Sequence, residues 1–358
     1  MSKTSVPSGL LAIALAVALP MAVAAPATAA PEKVALVSET TLPHAMQFNG
    51  TTVGGLSGVD YDPRTGKWVL ISDDRSERQP ARIYTAELTD GALRLTGTAP
   101  LLRPDGTTYP KGSVDPEDVR WDPWTRGVWW TSEGDRGAQP IDPSIRSATA
   151  DGAFASELPL PENLRILPET GPKQNEVLEG LTFAAGGSRV VTAVEGPLMQ
   201  DGESPTAGQG ALSRITVQSR SGRVLGQYAY PLDKVFAESP TGGSANNGVS
   251  ALLADRNGYL VMERAFVSGV GNSVRIYRID TRGATDVQDV PSLLGAHVRP
   301  VHKELLVDLA DLGLSKIDNV EGMTWGPRLP NGRRSLVLVS DDNFSPAQTT
   351  QIITLAVK

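Results

Sequence analysis

Cysteine is absent from the 358-residue chain, histidine occurs three times, and aromatic residues make up only 5%. Without cysteine there is no disulfide, no zinc–thiolate site, no thiol nucleophile and no lipid anchor on a cysteine. His44, His297 and His302 are too scattered to form a ligand pair on one element, so the usual zinc arrangements fit poorly. An excess of positive charge is lacking too. The 33 basic residues face 40 acidic ones, for a net charge of −7, which disfavours a nucleic-acid or anionic-membrane binder. No G-x-S-x-G elbow, P-loop or strand-linked G-x-G-x-x-G is found, so the common hydrolase and nucleotide-binding frameworks have no foothold. Convincing helices are few, because 36 glycines and 27 prolines are spread along the chain; Lys303–Leu312 is the best short candidate.

The one long apolar run stands at the N-terminus. Lys3 precedes Leu10–Ala25, and Ala22-Val23-Ala24 and Ala27-Thr28-Ala29 both suit a signal peptidase. Residues 1–30 are therefore expected to be a cleaved secretory signal and 31–358 a single mature domain, released outside the cell or into a periplasm.

What the chain has in abundance is one repeated hairpin. Gly54–Arg75 (GGLSGVDYDPRTGKWVLISDDR), Pro116–Arg136, Leu178–Gly196, Asn246–Arg264 and Val320–Asn343 each read as a short strand, a Gly/Asp/Pro/Asn turn and a second apolar strand. Aligned on their first positions (Gly54, Glu117, Glu179, Asn247 and Glu321), they recur after 63, 62, 68 and 74 residues. Self-similarity at this period indicates a repeat architecture, and each period has room for four strands. The spacing predicts an all-β propeller of five four-stranded antiparallel blades, with six as the alternative if a degenerate blade lies within 247–320. The last blade is one strand short, and Glu32–Leu42 is a strand without a blade; pairing the two would close the ring. Arg82–Leu88, Leu93–Leu101, Ser273–Asp280 and Thr285–Val290 are expected to supply further blade strands.

In a propeller the first strand of each blade lines the channel and the second runs antiparallel to it. Residues that begin first strands and residues that end second strands therefore meet at one mouth. This gathers Glu117, Glu179 and Glu321 with Asp73, Asp74, Glu133, Asp135, Glu195, Glu263, Asp341 and Asp342. So many carboxylates must be solvated, protonated or neutralised. Calcium, with six to eight oxygen ligands, is the natural counter-charge. Glu117, Glu179, Asn247 and Glu321 with Ser57, and Asp73 and Asp74 beside them, are the candidate ligands. Capping of strands and pairing with arginine is the plainer alternative. Arg75, Arg136 and Arg264 follow acids and would suit a phosphate or carboxylate ligand, or else bridge blades. The tryptophans at 121, 124, 129 and 130 are expected to pack between blades.

These hairpins resemble those of a secreted bacterial family described as phytase-like, with esterase-like activity of phytase. The likeness is carried by GLSGVDYDPRTGKWVLISDDR, DPEDVRWDPWTRGVWWTSEGD, NEVLEGLTFAAGGSRVVTAVEG and VEGMTWGPRLPNGRRSLVLVSDDN. It implies a secreted propeller associated with ester or phosphate-ester hydrolysis. The histidine-acid phytase motif is missing, so such chemistry would depend on calcium. The order around the ring, Gly54 or Ser57, Glu117, Glu179, Asn247 or Ser250, and Glu321, is also similar to the central calcium site of calcium-dependent apyrases, although their other motifs are absent. The expectation is a calcium-dependent phosphate-ester hydrolase acting on a small anionic substrate, as a monomer. Glu133, Glu195, Glu263 or Asp341 would serve as base, and Arg75, Arg136 or Arg264 would stabilise charge. A non-catalytic binding propeller with structural calcium, and a lactonase or carboxylic-ester hydrolase, are the alternatives.

Overall fold

Five four-stranded antiparallel sheets follow one another along the chain. Blade 1 comprises Leu56–Asp62, Lys67–Ser72, Arg82–Thr89 and Ala92–Pro100. Blade 2 comprises Pro116–Trp121, Val128–Ser132, Ser144–Ala148 and Phe154–Leu158. Blade 3 runs through Leu178–Ala184, Arg189–Val194, Ala211–Ser219 and Val224–Leu232. Blade 4 is built from Ala245–Asp255, Gly258–Val267, Gly271–Asp280 and His302–Asp308. Blade 5 contains Asn319–Trp325, Arg334–Asp341 and Gln351–Val357. Its fourth, outermost strand is Val34–Thr41, which pairs antiparallel with the C-terminal strand from Val34↔Val357 to Thr41↔Gln351. The inner strands touch in cyclic order, 1 to 2 to 3 to 4 to 5 and back to 1. This computed structural model describes residues 34–358 together with 1, 2 and 4. Apart from those three, the expected signal segment 1–30 lies outside the described residues.

The apolar core is divided into layers between blades. One cluster joins blades 1 and 5 (Trp68, Leu70, Val337, Val339), and another joins blades 1 and 2 (Ile71, Ile83, Val119, Trp130). Three more lie between blades 2 and 3, 3 and 4, and 4 and 5. The inner strands of a blade present alternate side chains to its two neighbours, so their burial on both faces follows from the ring, while outer strands such as Phe154–Leu158 stay largely exposed. Trp129 and Trp130 belong to these layers, each edge-on to another ring, Phe183 and Tyr109. Trp124 is 59% exposed, with the Arg220 guanidinium over its ring.

Two expected elements differ. Lys303–Leu312 is not a helix. Its first part is the outer strand of blade 4, paired from Arg275↔Asp308 to Asp280↔His302, and only Leu309–Leu312 forms a 3-10 turn, capped by Asp308. A blade edge in need of a strand outweighs local helix propensity here. Thr285–Val290 does not form that strand. It belongs to a connection that covers the outer edge of blade 3, where the Val287 and Val301 N–H groups donate to the Gln227 and Ala229 carbonyls. The residues that could have hidden a sixth blade therefore shield an edge, and the ring has five.

Each inner strand carries a bulge at the same place, and the residue it releases is Ser57, Glu117 with Asp118, Glu179, Ser250 or Glu321. A bulge re-aims a side chain without ending the strand. The true equivalents of Glu117, Glu179 and Glu321 are thus Ser57 and Ser250, three residues beyond Gly54 and Asn247. After the bulge the strands pack closely. A Cβ at Gly58 would come within 2.8 Å of the Asp118 backbone, and one at Gly180 within 2.7 Å of Leu252.

At this level one residue spans the channel. Arg120, 2% exposed, donates to the carbonyls of Val59 (3.0 Å), Leu181 (2.5 Å), Leu252 (3.2 Å) and Met323 (2.9 Å), one from each of the other blades. Its fifth donor goes to the Asp118 carboxylate at 2.8 Å, and Asp118 in turn accepts the Leu181 and Val119 N–H groups. All five N–H donors of the guanidinium are used. Arg120→Met should lower stability by about 3–5 kcal/mol, the cost of leaving a buried charge and its polar partners unpaired, in denaturant unfolding; a change below about 1 kcal/mol would show that the hub is dispensable.

Candidate active site at the channel mouth

Arg120 separates two chambers. The far one is a cavity of about 550 Å³, with Tyr61, Trp121, Phe183 and Trp325 from equivalent strand positions in four blades. The near one is the acid mouth. There Glu117, Glu179 and Glu321 come from bulges, and Asp73, Glu133, Glu195 and Asp341 follow or end second strands. Asp115, which sequence reasoning missed, sits just before its inner strand. Ligand oxygens of Asp115, Glu117 and Glu133 lie within 4.8 Å of one another, and so do those of Glu133, Glu179 and Glu195. Glu133 belongs to both groups.

Glu117 and Glu179 are only 9% and 8% exposed, and neither carboxylate receives a hydrogen bond from the described residues. Buried carboxylates without donors are costly unless protonated or paired with a cation. The ring shows that cost. Burial, then the neighbouring Glu195, pushes Glu133 from 4.5 to about 8. Burial lifts Glu195 to about 7 against the pull of Arg264, and Asp115 to about 6 against that of Arg75. Glu117, Glu179, Asp73 and Asp341 are raised well above the ordinary range, each by burial and then by neighbouring acids. Two arginines oppose this excess. Arg264 lies 3.5 Å from Glu195 and 3.4 Å from Glu321, and Arg75 lies 3.5 Å from Asp115. Arg264 keeps a buried Nε without a partner.

Other expected site residues are engaged elsewhere. Asp74 accepts the N–H groups of Glu77, Arg78 and Gln79 and pairs with Arg82 at 2.7 Å, so it clamps a loop. Arg136 donates to the carbonyls of Leu167, Thr170 and Pro172, stapling another loop. Glu263 is saturated by Tyr230, Asn247 and Lys303, leaving it no freedom to act as a base. Asn247 also donates to the Asp233 carbonyl, and Ser57 donates to that of Glu117. The Asp135 carboxylate accepts the Gly137 N–H at 3.1 Å and stays at the mouth, 3.9 Å from Arg75, whereas Asp342 accepts the Gly55 and Phe344 N–H groups. The acidic run Asp115-Pro116-Glu117-Asp118 was the signal available for Asp115; nothing local marks Arg120 as the hub.

A family described as phytase-like, esterase-like activity of phytase, matches residues 51–344. The chain belongs to that family. Among curated proteins, none matches significantly. Solved structures that resemble it include a β-1,3-galactosidase with galactodeoxynojirimycin (11% identity, 87% of this chain and 93% of that one, TM-score 0.47). An α-L-arabinofuranosidase from Lactobacillus brevis shares 12% identity over 84% and 91%, with a TM-score of 0.45. A putative glucose dehydrogenase from a Thermus species shares 13% over 85% and 84%, at 0.39. At these values no activity is carried over. Among the described residues no helix is long and apolar enough to cross a membrane.

The raised values fix a pH dependence for the cation-free protein. Between the unfolded carboxylate value of 4.5 and about 8 for Glu133, the folded state holds a proton that the unfolded state has lost. Stability contributed by that group is complete below the unfolded value and is lost as pH rises through the folded one. In EGTA the melting temperature should therefore fall from pH 5 to pH 8, and calcium should restore more of it at pH 8. A melting temperature that is flat or rises over that range, or a calcium effect larger at pH 5, would contradict the reading.

Proposed function

We propose that the protein is a calcium-dependent phosphate-ester hydrolase working at the acid mouth, and that it acts outside the cytoplasm. The observation that carries this is the pair of nine-tenths-buried, donor-less carboxylates, Glu117 and Glu179, in two oxygen clusters sharing Glu133. The donor set fits a hard cation, being all carboxylate with no sulfur or imidazole among the clustered groups. Asp115, Glu117, Glu133 and Glu179 would hold it. When bound, calcium supplies Lewis acidity toward a phosphoryl oxygen and offsets the charge of the ring.

The remaining work falls to the chain's own side chains. Arg264 and Arg75 sit more than 3.3 Å from their carboxylates, and Arg264 keeps a buried Nε with no partner, so both have donors to turn toward phosphoryl oxygens. Glu195, whose proton affinity burial raises against the pull of Arg264, suits a general base. It takes a proton from the attacking water as the new P–O bond forms; the ester P–O bond breaks, the leaving alkoxide takes a proton from a second water, and Glu195 returns its proton to the hydroxide so formed. Ser57 and Ser250 donate to the backbone carbonyls of Glu117 and Val320, which disfavours a serine-esterase route.

The test is release of p-nitrophenol from p-nitrophenyl phosphate. Turnover should vanish in EGTA and return with calcium, and Glu195→Gln should lower kcat by about 10²- to 10⁴-fold. A protein that calcium stabilises but that hydrolyses no phosphate ester at any calcium level would instead be a binding propeller with a structural cation.

A further inference from the structure

Beside the acid ring, on the same face, a cleft of about 560 Å³ lies between blades 4 and 5. Arg264 and Glu321 line both, so a molecule in the cleft abuts the site. Carboxamides make up half of its polar wall. Asn246 and Asn272 come from blade 4, Asn319 from the first strand of blade 5, and Asn343 and Gln348 from the loop after its second strand. Four of the chain's ten asparagines meet in this one cleft.

Most of their hydrogen-bonding capacity is unspent. The side chains of Asn272, Asn343 and Gln348 make no hydrogen bond within the described residues. Asn246 uses only its oxygen, on the Phe266 N–H at 3.1 Å. Asn319 uses only its nitrogen, on Glu321 and Asp341. Asn343 and Phe344 are held at φ of 47° and 52°, a conformation costly outside glycine, and their N–H groups are fixed by Asp341 and Asp342. The loop is thus held in the shape that brings Asn343 to the cleft.

The charges say what the cleft is not. Lys316 is paired with Asp318 at 2.7 Å, and Arg264, the other cation lining the cleft, faces Glu195 and Glu321 of the acid ring. Asp318 and Glu321 line the cleft as well, so it carries no net positive charge. One arginine shared with the ring can serve a single phosphoryl group and leaves no cation for a polyanion in the cleft. Carboxamides donate and accept within one planar group, which matches hydroxyls that also do both. Phe266, half-buried, adds an apolar face.

We infer that this cleft binds a neutral polyhydroxylated ring, a sugar or cyclitol, and does not take a polyphosphate. Its catalytic meaning, as the seat of the leaving alcohol of a monophosphate ester, rests on the phosphate-ester reading; the binding itself does not.

Saturation-transfer NMR with the full chain in EGTA tests binding without turnover. The probes are a methyl hexopyranoside, myo-inositol and inositol hexakisphosphate. A neutral probe should bind saturably in the millimolar range and more tightly than the hexakisphosphate. Asn272→Ala and Gln348→Ala should each weaken it by about 2- to 12-fold, the worth of one hydrogen bond. Two positions are used so that a fold defect in one variant leaves the other to decide. No saturable signal from either neutral probe, tighter binding of the hexakisphosphate, or affinity unchanged in both variants would each overturn the assignment. Loss of polyol binding and loss of phosphatase activity are read separately, because the first needs neither calcium nor catalysis.

Discussion

A single guanidinium gathers the backbone of five blades. Propeller blades pack through apolar layers that act only between neighbours, and nothing in those layers links a blade to one across the ring. Arg120 does so, with a donor for one carbonyl on each of the other four blades. Without it those four carbonyls would lose their guanidinium donors, and Asp118 balances the charge at 2.8 Å. The plug also orders the two ends of the channel: the acid mouth lies at the bulges before it, and the aromatic cavity that Arg120 lines lies beyond.

The bulges convert that frame into a site. Each inner strand has one extra residue at the same level, and in three blades it delivers a glutamate. Second strands return to the same mouth with Glu133, Glu195 and Asp341. Two arginines face eight carboxylates there, and burial, followed by the repulsion of neighbouring acids, raises their proton affinities. A divalent cation is the simplest way to relieve that imbalance at neutral pH. The same imbalance draws a boundary beside the ring, where paired charges and open carboxamides replace unpaired acid.

Much of this was legible in the sequence, for identifiable reasons. The five hairpins, the closing N-terminal strand and the convergence of Glu117, Glu179, Glu133 and Glu195 follow from period and strand direction, which the chain writes directly. The register in blades 1 and 4 was only half legible. Ser57 stood beside Gly54 and Ser250 beside Asn247 as candidate ring positions, and it is the bulge, which strand pairing alone reveals, that selects the serines. Lys303–Leu312 reads locally as a helix but serves as an edge strand, since the need for that pairing lies in the Gly271–Asp280 strand and not in its own residues. Asp74, Arg136 and Glu263 look like site residues by position, and only their partners, in loops and neighbouring strands, show that they are occupied. Arg120 could not be singled out at all, because its meaning comes from carbonyls contributed by four other blades.

The central claim is that the acid mouth is a cation site. Anomalous X-ray diffraction from crystals grown in calcium would test it most directly. The account predicts an anomalous peak among the carboxylates of Glu117, Glu133 and Glu179. A well-ordered mouth holding only water, or calcium bound solely elsewhere on the molecule, would contradict it.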